Sequence, residues 1–458
     1  MKTIFRFASL LAAAVMLFAC ETLSNDLFQL NADKTVLKAD GNQSITFNVI
    51  YDGVDVTSEV QIMYKDEFGD GIEKTLESVN FSTDKEGIYK FWADYNGVSD
   101  TLTVMATANG KAWSLSLSVR NDVIQANGTD YAEFSVILGD RYDVTSGSVI
   151  YDSDNNALTS DDFRFATSAA GEYKFWAEYG TLSTYDKKQS DKGMVTVKAI
   201  SVAIPLSVQD TQESNLSFVH RAFLTQYTGT ACGYCPYMIK ILKELAADKT
   251  IPEKAVLAAV HSYSNADPAY IAAPKVNNYP FLTVDLVTGF SHVSGTAALS
   301  SLIDESLATD AKAGMSVNSV LYENEGVLVV KVAVKAAVDG IFSVGAWLLE
   351  DGIEGQQTDY DGIKNSDPLN DYDTHESCVR VADSSAKDSW FGYPLGTMKA
   401  GEVMEKTFVM DVKKAWKTEN LHLAVFASYG DKIGNKVNYS VCNVVDAPID
   451  APTPFEYK

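Results

Sequence analysis

Basic charge is scarce in this sequence: 37 Lys and Arg stand against 61 Asp and Glu among 458 residues, a formal net charge of -24. Binding nucleic acid needs clustered cations that displace counterions from phosphate, so the balance argues against that partner and suits a solvated, exported protein. Beyond the N-terminal segment, no run reaches the roughly 18 apolar residues that a membrane-crossing helix needs, so attachment to a bilayer has to come from another device. Cysteine is rare as well, at five residues. The one CxxC, Cys232 and Cys235, supplies two of the four ligands that zinc takes, and Cys378 and Cys442 would have to converge on it from a distant segment, so no metal is assigned. "DSDNNALTSDDF" (152–163) begins like a calcium loop but has Ala157 where the turn needs Gly and Phe163 where it needs a bidentate Glu. The acidic stretch 350–373 carries oxygen ligands for Ca2+, yet reads as a solvated loop. Nothing in the sequence calls for a cofactor.

What is present begins with an export signal. "MKTIFRFASLLAAAVMLFAC" has Lys2 and Arg6, then an apolar stretch that is short for a membrane span, then Cys20. "LFAC" resembles the lipobox of bacterial lipoproteins, with Phe18 in a place that usually holds a smaller residue. The resemblance implies a signal peptide at 1–19, lipidation of Cys20, a short tether at 20–27 and a lipid anchor in the cell envelope. An ordinary cleaved signal is the alternative. Export places the other four cysteines in an oxidising compartment, where disulfides persist.

The chain is too long for one core and divides into modules. "LKADGNQSITFNVIYDGVDVTSEV" (37–60) is echoed by "IQANGTDYAEFSVILGDRYDVTSGSV" (124–149), and "GIYKFWADY" (87–95) by "GEYKFWAEY" (171–179). A period of 84 to 88 residues is too long for a solenoid unit and right for a small sandwich. Within each copy Tyr89, Phe91, Ala93 and Tyr95, or Tyr173, Phe175, Ala177 and Tyr179, share one face of a strand. This G-x-Y-x-F-x-A pattern resembles a late strand of immunoglobulin domains, with Phe91 and Phe175 in the cysteine position and the tyrosines placed for tyrosine corners. Repeats at 28–110 and 111–200 are therefore expected to be immunoglobulin-like sandwiches. Trp92 and Trp176, on the opposite face, are candidates for glycan contact, with packing as the competing role.

A polar linker, 201–217, leads to a different grammar: strand (218–227), the CGYC turn, a helix with Met238, Leu242 and Leu245 on one face, a continuous apolar strand (254–263), a short helical stretch, "NNYPFLTVDL" (277–286), and a helix bearing Leu299, Leu302, Ile303 and Leu307. This is an α/β order, predicted for 218–312. From 313 to 458 long alternating runs return and predict a C-terminal β-sandwich. A cysteine at a helix N-terminus meets unpaired backbone N–H groups that favour its thiolate, while the partner three residues on closes the disulfide. Cys232 is thus the candidate nucleophile and Cys235 the resolving thiol.

The segment 218–312 resembles a thioredoxin-like domain. The resemblance implies a cis-proline loop at Tyr279–Pro280 that holds a substrate strand, and Tyr234 between the cysteines resembles the dipeptide of periplasmic disulfide isomerases. Two places depart from the pattern: Ala231 stands for a Trp, and Gln226 for the buried carboxylate that deprotonates the resolving thiol. His220 and His261 are candidates for tuning the thiolate. More widely, "FLTQYTGTACGYCP" with "LLEDGIEGQQTDY" and "YDTHESCVR" resembles outer-membrane lipoproteins related to a 28-kilodalton outer-membrane protein of Gram-negative anaerobes, which implies an outer-membrane location. Cys378 and Cys442 are candidates for a second disulfide, or two buried thiols; closing a loop of some 64 residues would stabilise by about 4 kcal/mol. Two functions follow: thiol–disulfide exchange on exported proteins, with Cys232, Cys235 and Pro280 at the centre and Tyr279 and Tyr234 against the substrate, or a surface binding or adhesive lipoprotein in which the disulfide is only structural. The partners are then exported thiols and disulfides, or a surface ligand.

Overall fold

A computed structural model describes residues 27–158, 162–180, 182–185, 192–367, 371–383, 390–433 and 436–458. The expected export signal and Cys20, the expected lipidation site, lie outside them. The protein is predominantly β-sheet, with few helices, and none among the described residues is long and apolar enough to cross a membrane. Its packing separates two compact units: one holds the first repeat and much of the second, the other begins within the second repeat and contains everything from Thr196 onward.

The first repeat is a sandwich of a five-stranded sheet centred on Gly87–Tyr95 and Val98–Thr107 and a four-stranded sheet built around Ile45–Tyr51. Alternation decides which residues enter: Phe91 and Ala93 are fully buried, and the Phe91 ring lies 4.5 Å from Phe47 of the facing sheet. Apolar ring packing here fills the place of an inter-sheet disulfide, each such buried side chain contributing about 1.5–3 kcal/mol. Tyr89 donates its hydroxyl to the Lys85 carbonyl at 3.2 Å, four residues upstream, and Tyr173 repeats this with Ala169 at 2.9 Å. These are tyrosine corners. In the second repeat Phe175 packs on Phe134 at 4.8 Å. The repeated "DVTS" has a physical purpose too. Thr57 donates to Asp55 at 2.5 Å and accepts the Val49 amide at 2.8 Å, and Thr145 does the same with Asp143 and Val136 at 2.6 and 2.9 Å. The motif closes a turn against its own strand.

In the other unit, the α/β segment and the C-terminal strands form one sheet. Ala222–Thr228 pairs in parallel with Ala255–His261 and antiparallel with Phe281–Val284, which continues to Thr288–Phe290. On the other side Ala255–His261 meets Cys378–Asp383 at Ala259 and Cys378, and the sheet runs on through Gly340–Glu350, Leu421–Ile433 and Lys436–Pro448. The boundary drawn at 312/313 is therefore not a boundary in the sheet. The C-terminal strands pack as a sandwich: a three-stranded sheet of Ala313–Tyr322, Val327–Ala336 and Val403–Asp411 packs its valines and methionines onto Val344, Ala346, Leu348, Leu423 and Val425. One of its two layers is the shared sheet.

The helix Cys235–Ala247 starts with Pro236 in its first turn, where a missing N–H costs little, and buries Met238, Leu242 and Leu245 against Ala222 and Leu224. In Thr296–Ser306 Leu299 and Ile303 are fully buried. The short helix expected after His261 is absent: Asp267 accepts the Ala269 amide at 2.9 Å and holds this stretch, with Pro268, as a turn. Nor is 201–217 a free linker. Lys335, 1% exposed, donates to Asp210 at 2.7 Å, to the Gln212 carbonyl at 3.1 Å and to Tyr457 at 3.2 Å, which ties this segment and the C-terminal tail to the sandwich.

Candidate functional site

The strand Ala222–Thr228 delivers the chain into Gly229–Thr230–Ala231, and the Cys232 amide closes on the Gly229 carbonyl at 2.9 Å before the helix begins. Cys232 and Cys235 are joined in a disulfide with a Cα separation of 5.4 Å. Both are buried, at 3% and 0% exposure. Their cover comes from the acidic stretch that follows Ile353–Glu354. There the Thr358 amide donates to the Thr230 carbonyl at 2.8 Å, the Tyr360 amide to the Gly233 carbonyl at 3.0 Å, and Gln357 Nε2 to the Cys232 carbonyl at 2.8 Å. The fit is close enough that a Cβ on Gly233 would stand 2.4 Å from the exposed Tyr360 ring, so a side chain there would displace that ring.

Around this core lie the aromatic residues singled out in the sequence. Tyr279 packs against the cluster formed by both cysteines, Ile239 and Tyr372, and its hydroxyl meets Ser262 at 3.0 Å. The Tyr279–Pro280 bond is cis, and Pro280 is buried. Tyr234 is exposed and set edge-on against Tyr360 at 5.3 Å. Gln226, in the place of the carboxylate, is buried and cannot take up a proton. The arrangement is an oxidised pair at a helix N-terminus, sealed from solvent and without a base behind it.

The histidines do other work than tuning Cys232. His220 Nδ1 faces the Thr309 carbonyl at 2.9 Å. His261, buried on its strand, places Nδ1 3.0 Å from Asp267 and Nε2 3.6 Å from Cys378 Sγ. Asp267 also accepts the Thr230 amide at 2.6 Å and the Thr230 hydroxyl at 3.0 Å, so the pair fixes the approach to the CGYC turn. Burial pushes the Asp267 carboxyl up, but the His261 contact and the Thr230 and Ala269 amides outweigh it and hold the group well below the usual carboxylate range. Beside it His375 is held down by burial and gives Nε2 to the Gly355 carbonyl at 2.9 Å.

Cys378, His261 and Asp267 thus stand in the order of a nucleophilic triad, which sequence spacing alone could not reveal because the members are 117 and 6 residues apart. They are not arranged to act as one. Cys378 is fully buried among Ala269 and Ile353, and burial raises its thiol well above the ordinary range, so it stays protonated.

The candidate Cys378–Cys442 disulfide does not form: both thiols are free and buried. Their strands are separated in the shared sheet by Gly340–Glu350 and Leu421–Ile433. Three strand spacings amount to about 14 Å, twice the Cα separation a disulfide spans.

The acidic stretch spends its carboxylates locally. Asp359 accepts the Lys364 amide, Asp373 the Gln357 amide, Asp367 the Tyr372 hydroxyl and Asp361 the Tyr237 hydroxyl. Among the described residues no cluster of His, Cys, Asp and Glu is fit to hold a metal ion. Trp176 is 3% exposed, stacks on Tyr151 at 4.5 Å and donates Nε1 to the Asp152 carbonyl, which is a packing role. Trp92 is half-buried on its sheet.

No protein-family model matches the chain, and no curated protein does. Among solved structures it is similar to HBP35 of Porphyromonas gingivalis, with 16% identity over 52% of this chain and 78% of that one and a TM-score of 0.39. It is also similar to the D0-D1 domain of intimin (18% identity, 34% of this chain and 93% of that one, TM-score 0.15) and to invasin, a bacterial integrin-binding protein (8% identity, 92% and 60%, TM-score 0.17).

Proposed function

We propose that this chain is a lipid-anchored binding protein of the cell envelope. Cys20 carries the anchor, the immunoglobulin-like repeats are spacers, and residues 218–458, with a thioredoxin-like layer at one end of their sheet, form the ligand-facing head. In this reading the Cys232–Cys235 disulfide is a staple. The observation that carries it is the burial of both cysteines against Ile239, Tyr372, Tyr279 and Ile363, with Gln357–Tyr360 hydrogen-bonded to the backbone of the turn itself. Exchange needs an outside thiolate to reach a disulfide sulfur, and a reactive cysteine is partly exposed in an electropositive setting. Here Gln226 stands in the place of a base, and Ile239, Tyr372, Tyr279 and Ile363 pack on the pair. The exposed rings of Tyr234, Tyr237, Tyr263, Tyr270 and Tyr360 favour ligand contact, since tyrosine offers a wide amphipathic surface at low entropic cost.

The packing of Tyr279 against both cysteines favours a second reading, thiol–disulfide exchange on exported proteins after the covering segment lifts. Equilibrating the purified mature protein in glutathione buffers, with Cys232→Ser as control, separates the two. A staple gives a potential below about -300 mV or no reaction; a value between about -120 and -270 mV establishes an exchanger and retires the first reading. Tyr360→Ala, which removes the ring over Gly233, should speed reduction in either case.

A further inference from the structure

Behind the CGYC turn, between the helix Cys235–Ala247 and the sheet, lies a cavity of about 270 Å3. Its floor follows from register: Gln226 pairs with Ala259 and Thr228 with His261, so these four side chains share the helix-facing side of two parallel strands. Its apolar walls are Ile239, Leu242, Ile251 and Leu257. Two groups of the floor have no hydrogen-bond partner, Gln226 Nε2 and Thr228 Oγ1, although their residues are only 3% and 2% exposed. Folded proteins pair nearly all such groups, and an apolar pocket with a few convergent polar atoms is the usual form of a small-molecule site. Another cavity of this unit, about 320 Å3 beside His220 and Asp285, lacks that feature. There Asp285 accepts from the Phe223 amide at 2.9 Å and Ser306 at 2.5 Å, and His220 faces the Thr309 carbonyl.

We propose that the cavity behind the CGYC turn binds a small, mainly apolar molecule through one carbonyl or carboxylate oxygen, which accepts hydrogen bonds from Gln226 Nε2 and Thr228 Oγ1. The apolar body packs between the helix and Leu257. Lys243 and Glu376 both line the cavity, so the local charge admits an anionic and a neutral acceptor alike. No cysteine lines it, and occupancy does not depend on whether the disulfide is exchanged.

Benzoate, benzamide and benzene are suitable probes, tested by saturation-transfer NMR and thermal shift on the full mature protein. Benzoate or benzamide should bind at least tenfold more tightly than benzene, and whichever of the two prevails fixes the ligand as a carboxylate or a neutral carbonyl compound. Gln226→Leu with Thr228→Val should weaken that binding at least tenfold without lowering the melting temperature, because the two donors removed, Gln226 Nε2 and Thr228 Oγ1, have no partner in the protein. Ala246→Trp, at an exposed position on the rim, should block the probes while leaving the sheet untouched. Equal binding of all three probes, no binding at 10 mM, or a double variant that melts lower and binds as before would each overturn the assignment, the second meaning that water alone fills the space.

Discussion

Replacing Asp267 by Asn tests whether the buried pair behind the CGYC turn holds that turn in place. The carboxylate receives the Thr230 amide and hydroxyl on Oδ2, the Ala269 amide on Oδ1, and lies 3.0 Å from His261 Nδ1. An amide of the same shape keeps one acceptor and turns the other into a donor that faces donors. Hydrogen bonds to a charged group are worth about 1.5–3 kcal/mol each, and removing one member of a buried pair costs about 3–5 kcal/mol. A loss of about 3–5 kcal/mol at pH 7 is therefore expected. The carboxyl is depressed in the folded protein, so the unfolded chain binds its proton more readily. The contribution is complete above about pH 4 and declines as the pH falls toward the lower folded value. The gap between parent and Asp267→Asn should be constant from pH 5 to 7 and narrow below pH 4. Urea unfolding followed by the fluorescence of Trp347, which lies in the same sheet, measures it at pH 7, 5 and 3.5. A loss below 1 kcal/mol at pH 7, or a gap that does not change between pH 5 and 3.5, would refute the reasoning. The freed Thr230 should also make the disulfide quicker to reduce.

Two further outcomes concern the edges of the same unit. Asp210→Ala leaves the almost fully buried Lys335 ammonium without its carboxylate, and should cost about 3–5 kcal/mol in the same urea assay, whereas breaking the exposed pair Lys399–Asp339 should leave the urea midpoint almost unchanged. For His422, burial lowers the imidazole, but Asp351 at 3.5 Å and Asp446 at 2.6 Å outweigh it and raise the group to about 9. A base raised on folding stabilises fully below about pH 6.5 and loses that contribution as the pH passes through about 9. With both carboxylates partly exposed the effect should be about 1–2 kcal/mol, seen as a melting temperature that falls between pH 7 and 10 in the parent and stays flatter in His422→Gln.

What could be read in the sequence was whatever has a local period. Alternation in "GIYKFWADY" fixed which side of the strand is core, and the apolar spacing after Cys235 fixed the helix face, because both signals lie within a dozen residues. The tyrosine corners were legible for the same reason, since each hydroxyl reaches a carbonyl four residues upstream. The single bridge at Ala259 and Cys378 that joins the α/β strands to the C-terminal ones leaves no such trace, because it links residues over a hundred positions apart. The Cys378–His261–Asp267 cluster was hidden by the same distance, and the unpaired Gln226 could be noticed only as a departure from an expected carboxylate.

That shared sheet also constrains what the CGYC turn can do. The covering segment leaves Gly340–Glu350 through Ile353–Glu354 and returns through Thr374–His375 to Cys378–Asp383, and its base is clamped where Ile353 pairs with His375 and Glu354 with Thr374. Both flanking strands belong to the sheet that also carries Ala222–Thr228, the strand leading into the turn. Turn and cover are therefore held at fixed places on one scaffold, and swinging one domain away from another cannot expose the sulfurs. Uncovering Cys232 takes local opening of the segment that carries Ile363 and Tyr372, with loss of the bonds from Thr358, Tyr360 and Gln357 to the turn. A client thiol would have to displace these intramolecular bonds before any chemistry began, a cost that a dedicated exchanger has no reason to carry and that a structural staple turns to advantage.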